Sequence, residues 1–252
     1  MKEMRMREIA LLGLCVFCCL PILAAEDALP SIQDLQRWYA EANGGLSNIQ
    51  TLSSLIASGQ AIQADGQSYD FKLYRKRPNL MRTQINFENI QIVTVFDGLE
   101  VFRVLSADGV PDRVFEIEGE EAAQIEALSH MDGPFFKLRG QSEFLEVLFE
   151  VDVNGEAAFE IAIGEQANSP YERMWISKEN YQEIKLSRMI KTEAGDGALE
   201  EIYLSDFVQT RGVWLAKNIR HEQAGELTKQ IVIDRVKANV GIFDSFFVKP
   251  KS

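Results

Sequence analysis

The stretch that decides the fold is Lys72-Leu73-Tyr74-Arg75-Lys76-Arg77-Pro78-Asn79-Leu80. A strand-like run ends at Arg77, Pro78-Asn79 supplies turn chemistry, and Leu80 opens another strand-like run. Proline cannot donate to a sheet ladder and asparagine tolerates turn backbone, so the pair marks a corner between two strands. Upstream and downstream the same grammar repeats. Runs rich in β-branched and aromatic residues cover Ala57–Gln63, Ser68–Arg77, Leu80–Asn86, Ile90–Phe96 and Leu99–Leu105, with Asp65-Gly66 and Asp97-Gly98 at further turns. A second set covers Ala157–Ile163, Arg173–Ser177, Glu183–Thr192, Leu199–Ser205, Val213–His221 and Leu227–Val236. Its turns contain Lys178-Glu179-Asn180, Asp196-Gly197 and Ala224-Gly225.

Helical signals flank and divide these sets. Ser31 and Asp34 fit a capping box ahead of Ile32, Leu35, Trp38, Tyr39 and Ala42, and Gly44-Gly45 stops the helix. Ile49–Leu55 reads as a second short helical or extended piece. Between the strand sets, Gly119–Leu128 is helical, with acidic residues at its start. Met131-Asp132-Gly133-Pro134, the pair Phe135-Phe136 and a short helix over Phe144–Phe149 follow. The order predicts a mainly β (α+β) chain: one strongly curved antiparallel sheet, a half-barrel, with helices covering its concave face. No repeat, low-complexity tract or linker divides residues 26–252, which are expected to form one domain.

The N-terminus carries Lys2, Arg5 and Arg7, then an apolar run from Ile9 to about Leu23, then Ala24-Ala25. A membrane span needs about 20 apolar residues, so this shorter run reads as a secretory signal peptide over residues 1–25. All three cysteines, Cys15, Cys18 and Cys19, lie within it, so the processed chain has no disulfide partner. Leu14 and Phe17 are too bulky to precede a lipid-modified cysteine. The expected product is a soluble periplasmic protein. Its charge excludes some partners. The whole chain carries −12, and removing residues 1–25 takes away three basic and two acidic residues, leaving −13. Nucleic acid is thereby disfavoured, as is lasting adhesion to anionic lipid.

Little in the chain suggests catalysis. It lacks a nucleophile elbow, a zinc-protease helix motif and a phosphate-binding glycine loop. His130 and His221 are far apart and read as surface or capping residues, and no metal or other cofactor is expected. The acidic groups at Glu116–Glu121 and Glu200-Glu201 read as a helix N-terminus and a solvated strand end. The strands themselves are more informative. Phe71 and Leu73 share one face, as do Val93 and Val95, and Phe102 and Val104. Trp175 and Trp214 stand at strand positions with polar neighbours. Strands apolar on both faces are explained either by a sheet packed on both sides or by a cavity inside a half-closed barrel. Both readings stay open at this point.

The corner from Lys72 to Leu80 resembles that of the periplasmic outer-membrane lipoprotein carriers of the LolA type. Further matches follow in order. Asp97-Gly98 stands before an aromatic-containing strand, Gly133-Pro134-Phe135-Phe136-Lys137-Leu138 resembles the apolar segment near the family's covering helices, and Phe246-Phe247-Val248-Lys249-Pro250 is similar to its closing strand. The resemblance implies a half-barrel with a helical lid over an apolar cavity that takes acyl chains of lipoproteins or a related lipid, between an inner-membrane exporter and an outer-membrane receptor. The cavity and lid candidates are then Phe71, Leu73, Val93, Val95, Phe102, Val104, Ile125, Leu128, Phe135, Phe136, Trp175 and Trp214. By position Arg77 matches the arginine that holds the empty lid closed by hydrogen bonds to lid carbonyls, whereas nearby Arg75 has no counterpart. Tyr181-Gln182-Glu183-Ile184 and the turn region Tyr203–Gly212 depart from the compact carriers. The competing function is a sensor or interaction module that binds a partner protein with the same half-barrel; a hydrolase ranks behind both.

Overall fold

The computed structural model of the chain describes residues 28–167, 169–191 and 197–250. The expected signal segment, Thr192 and Asp196 lie outside them. Among the described residues, thirteen strands form one antiparallel sheet. The first group is β1 (Ser54–Gln63), β2 (Ser68–Lys76), β3 (Leu80–Phe87), β4 (Ile90–Phe96), β5 (Val101–Ala107) and β6 (Val110–Ile117). The second is β7 (Leu145–Val153), β8 (Glu156–Ile163), β9 (Arg173–Ser177), β10 (Glu183–Lys191), β11 (Gly197–Thr210), β12 (Val213–Gln223) and β13 (Glu226–Ala238). Their order is β6-β5-β4-β3-β2-β1-β13-β12-β11-β10-β9-β8-β7. The first and last strands therefore pair in the middle, and each wing is a meander of hairpins.

Sequence neighbours β6 and β7 stand at opposite edges of this curved, unclosed sheet. The chain between them carries helices α3 (Gly119–Ser129) and α4 (Pro134–Lys137) across the inner face. Helices α1 (Ile32–Ala42) and α2 (Leu46–Thr51) precede β1. Ser31 caps α1 by accepting from the Asp34 amide at 3.1 Å. At its other end, buried Asn43 donates to the Tyr39 carbonyl and accepts from the Trp214 amide, both at 3.0 Å, stitching α1 to the start of β12. The inner face holds two large apolar clusters. One joins Leu35, Tyr39, Phe135 and Phe136 to Ile161, Met174, Leu186 and Ile202. The other joins Ile125 to Phe71, Leu73, Met81, Phe96, Val101 and Ile231.

Three expectations change. Phe144–Phe149 is not helical: Leu145 onwards is edge strand β7, because only alternation lets Leu145 and Val147 reach the core beside Ile163 and Ile161. Strand β6 had no clear signal, because an edge strand with both faces exposed carries Pro111, Asp112 and Arg113 without an apolar stripe. The region Tyr203–Gly212 is not a turn region but mostly strand. Its hairpin is confined to Arg211-Gly212, both at positive φ (54° and 83°), as the tightest hairpin turns require.

The C-terminal segment also departs from the closing strand expected at Phe246–Pro250. It forms a 3-10 turn over Asp244–Phe247 and straps the outer face of β2–β5. Phe247 is 1% exposed among Val93, Val95, Phe102 and Val104. Phe246 packs edge-on to Tyr74, with Arg82 stacked 4.5 Å above its ring. Lys76 donates to the Ile242 carbonyl at 2.7 Å, and Lys249 pairs with Glu116 at 2.6 Å. Strands apolar on both faces are thus explained by helices inside and a strap outside. Phe247→Ala should lower the unfolding free energy by about 3–5 kcal/mol, the usual cost of emptying a buried phenylalanine site. Phe243→Ala, at an 83% exposed ring, should change it by less than about 0.5 kcal/mol. Denaturant midpoints at constant slope measure both.

Candidate functional site

Side chains directly opposite across paired strands share a face, which sorts the sequence candidates. Arg75 pairs with Leu55 and Met81, and Leu73 with Ala57 and Thr83, so Phe71, Leu73, Arg75 and, by continuation, Arg77 point inward. Ile125 and Leu128 meet Phe71 and Leu73 from the covering segment, while Phe135 and Phe136 sit in the other inner cluster. Val93, Val95, Phe102 and Val104 are a correction: alternation puts them on the outer face, where the C-terminal strap covers them. Trp175 also faces outward, packed with Ala158 and Ile184, opposite Glu160 and Lys185. Trp214 alternates with inward-facing Val213 and Leu215, so it too lies outside the inner clusters.

Arg77 is the most heavily bonded side chain at the site. Its Nε donates to the Leu52 carbonyl and its Nη2 to the Ile49 carbonyl, each at 2.7 Å. Its two terminal nitrogens also grip Asp132, with Nη1 donating to Oδ2 at 3.1 Å and Nη2 to Oδ1. The sequence expectation was bonds to carbonyls of the covering segment; the structure gives bonds to its carboxylate and to carbonyls around the end of α2. A planar guanidinium suits this, because its donors fork toward several acceptors at once. One side chain thus ties β2, α2 and the link between α3 and α4.

Two further groups hold that link. Tyr39 donates to the Asp132 carbonyl at 3.3 Å, and the Phe135 amide donates to Glu183 Oε1 at 2.6 Å. Between them Gly133 has φ +80°, and a Cβ there would stand 2.7 Å from the Tyr39 hydroxyl and 3.1 Å from Glu183. Only glycine fits this position. Burial raises the Glu183 pKa to about 7, against the lowering effect of the Phe135 amide. Burial, and then the nearby Glu183 and Asp132, hold the Tyr39 hydroxyl well above its ordinary value.

The inner face also carries a charged band the sequence did not suggest. His221 and Glu200, expected at the surface, are both buried. Arg188 Nε donates to Glu200 Oε2 at 2.5 Å, and His221 Nδ1 lies 3.0 Å from Oε1. Burial opposes charge on Glu200, but His221 and Arg188 together bring its pKa down to about 2. Lys229, paired with His221 across the ladder, is itself pushed below its ordinary value by burial. His130 follows the expectation of a capping residue, ending α3.

Residues of the covering segment pack against both inner apolar clusters. The cleft under it, between Ala127, Pro134, Lys137, Leu138 and Tyr171, leaves only about 10 Å³. A shallow cleft of about 320 Å³ lies outside, against Val151, Val153, Glu160, Trp175, Lys185 and Tyr203. Among the described residues no cluster of His, Cys, Asp or Glu is arranged to hold a metal ion, and no helix is long and apolar enough to cross a membrane.

Asp132, Glu183 and Tyr39 were not singled out as site residues from sequence. An acid directly before Gly133-Pro134 is the signal that points to Asp132; Glu183, between Gln182 and Ile184, carries no comparable signal.

No family model matches the chain, and no curated protein matches it by sequence. Solved structures do match its fold. A domain from Vibrio parahaemolyticus described as an outer membrane lipoprotein-sorting protein is 12% identical, with a TM-score of 0.56, covering 85% of this chain and 97% of its own. A DUF1329 family protein from Desulfovibrio piger is 13% identical, with a TM-score of 0.55 and coverage of 87% and 98%. A LolA superfamily protein from Nitrosomonas europaea is 12% identical, with a TM-score of 0.54 and coverage of 88% and 99%. The chain has the LolA-like fold that its sequence resemblance implied.

Glu183 gives this site a pH signature. Its folded pKa of about 7 lies above the ordinary 4.5, so between those values the folded state holds a proton that the unfolded chain has lost. Stability therefore falls as pH rises from about 4.5 to 7 and levels beyond, with a span of roughly 3 kcal/mol from this group. Glu183→Gln should remove that fall. Denaturation at pH 5 and pH 8 should show wild type losing roughly 2–3 kcal/mol more than the variant across the interval.

Proposed function

We propose that the protein is a periplasmic carrier that shelters acyl chains, of lipoproteins or a related lipid, beneath a lid formed by residues 119–138. The observation that carries this reading is the Arg77–Asp132 bridge, which pins an apolar segment over an apolar inner face that is packed shut. A lid fastened by a few polar bonds, and otherwise seated by Ile125, Leu128, Phe135 and Phe136, can exchange its own apolar contacts for those of a ligand chain. Each methylene buried contributes on the order of 0.8 kcal/mol, so one acyl chain offsets the opening of such a lid. Among the described residues the inner face offers no nucleophile–base pair: His221 is committed to Glu200, and Glu183 to the lid amide. Binding and transfer fit the site better than hydrolysis. The LolA-like fold supports the same reading, as does an acidic chain suited to crossing an aqueous space without adhering to anionic lipid.

Mass spectrometry of material extracted from the purified protein tests the function. Co-purified acylated molecules are expected. A stable complex with a protein and no lipid would favour the interaction module instead.

Arg77 tests the mechanism. Each hydrogen bond to its charged group contributes roughly 1.5–3 kcal/mol, so its loss shifts the lid balance strongly toward the open, filled state. Arg77→Leu should release a bound acyl probe at least about tenfold more slowly than wild type, because re-closure no longer drives release. Lys72→Leu, at an exposed outward position on the same strand, should leave the rate unchanged. Equal rates in all three proteins would reduce Arg77 to a structural tie.

A further inference from the structure

Arg75 and Arg77 stand two residues apart on the same face of β2, yet their surroundings are opposite. Arg77 saturates its donors. Arg75, under the lid, forms no ion pair among the described residues, and its Nε is sealed from solvent with no acceptor. The side chain as a whole is half-buried, but a guanidinium nitrogen sealed without an acceptor is costly, and such exceptions in a folded protein call for an explanation. Arg82, whose Nε is also unpaired, differs because it lies on the outer face, donating to the Phe246 carbonyl and stacking on that ring.

The groups facing Arg75 do not neutralise it. The Tyr171 hydroxyl, buried beside the lid cleft, is near enough to feel both Arg75 and Arg188. His130 and Lys137 approach from the lid, and His130 is disfavoured as a cation by its burial and then by Lys137, with Arg75 adding to the effect. Of the inner-face acids, Glu200 is committed to Arg188 and His221, Glu183 accepts from the Phe135 amide, and Asp132 is taken by Arg77. Arg75 and Lys229, neither of them in an ion pair among the described residues, thus bring a surplus of positive charge into the interior of a chain whose net charge is −12.

Building on the carrier reading, we infer that Arg75 is the counter-ion for the anionic head of the cargo: an amphiphile whose acyl chain ends in a carboxylate or phosphate. The chain replaces lid contacts in the apolar cluster of Phe71 and Leu73, next along the same strand face, and the head meets the guanidinium waiting at Arg75. A neutral chain gains the first interaction and not the second.

Competition for a bound environment-sensitive acyl probe at pH 8 tests this, using dodecanoate, dodecyl phosphate, dodecanamide and inorganic phosphate. Wild type should bind the two charged chains about tenfold or more tighter than the amide, the worth of one good hydrogen-bonded charge pair. Arg75→Gln should erase that preference while keeping the amide's affinity, and Arg75→Lys should restore most of it. The wild-type comparison needs no variant, so a folding defect in Arg75→Gln leaves the test intact. Equal binding of charged and neutral chains overturns the inference and leaves the carrier standing. Displacement by inorganic phosphate alone overturns it in favour of a free-anion site. No binding of any chain overturns the carrier reading itself, and this inference with it.

Discussion

Strands β6 and β7 follow one another in sequence yet stand at the two far edges of a single sheet. The chain joining them has to travel the full width of that sheet, and it does so over the inner face. Everything proposed for the molecule rests on this constraint. A segment tethered at both edges cannot dissociate, and the proposed function needs it only to rise and settle. It is seated by the Arg77–Asp132 bridge, the Arg103–Glu121 ion pair, the Tyr39 hydroxyl, the Glu183 carboxylate and the apolar residues in each wing.

Polar and apolar contacts divide the work. Apolar burial is non-directional and would accept an acyl chain in place of Phe135 or Ile125. The bonds made by Arg77 are directional, and hold only when Asp132 returns to one place beside the end of α2. The covering segment can therefore be held shut by geometry while its apolar seats remain exchangeable. Lid and sheet also differ in cooperativity. Each strand is laced to its neighbours along its length, while among the described residues the lid meets the sheet through side chains and the Phe135 amide.

Much of this was legible in the sequence, for identifiable reasons. The Arg77-Pro78-Asn79 corner, the capped helix after Ser31 and most hairpins are local chemistry, and local chemistry survives folding. That Phe71, Leu73 and Arg77 share a face follows from period-two alternation. The outer position of Val93, Val95, Phe102 and Val104 does not, because alternation states that two faces differ and not which one a remote C-terminal segment will cover. Edge strand β6 was missed because both its faces are exposed and it lacks the apolar stripe that marks an interior strand, and β7 was misread because Leu148-Phe149, at a bulge, interrupt the alternation of Leu145, Val147, Val151 and Val153. Arg188, Glu200 and His221 become one group only through cross-strand register, which residue spacing does not reveal. Arg75 stood out only as a neighbour of Arg77 without a counterpart in the family; the register with Leu55 and Met81 places it inside.

The central claim is that the segment across the inner face moves away from it when an acyl chain enters. Amide hydrogen exchange with and without a saturating acylated peptide measures this directly, residue by residue. Exchange at the Phe135 amide and through residues 119–138 should quicken on loading, while protection in β1, β2 and β13 at the middle of the sheet stays constant. Unchanged or increased protection of residues 119–138 in the loaded protein would contradict the account, because the chain would then be bound without the lid having moved.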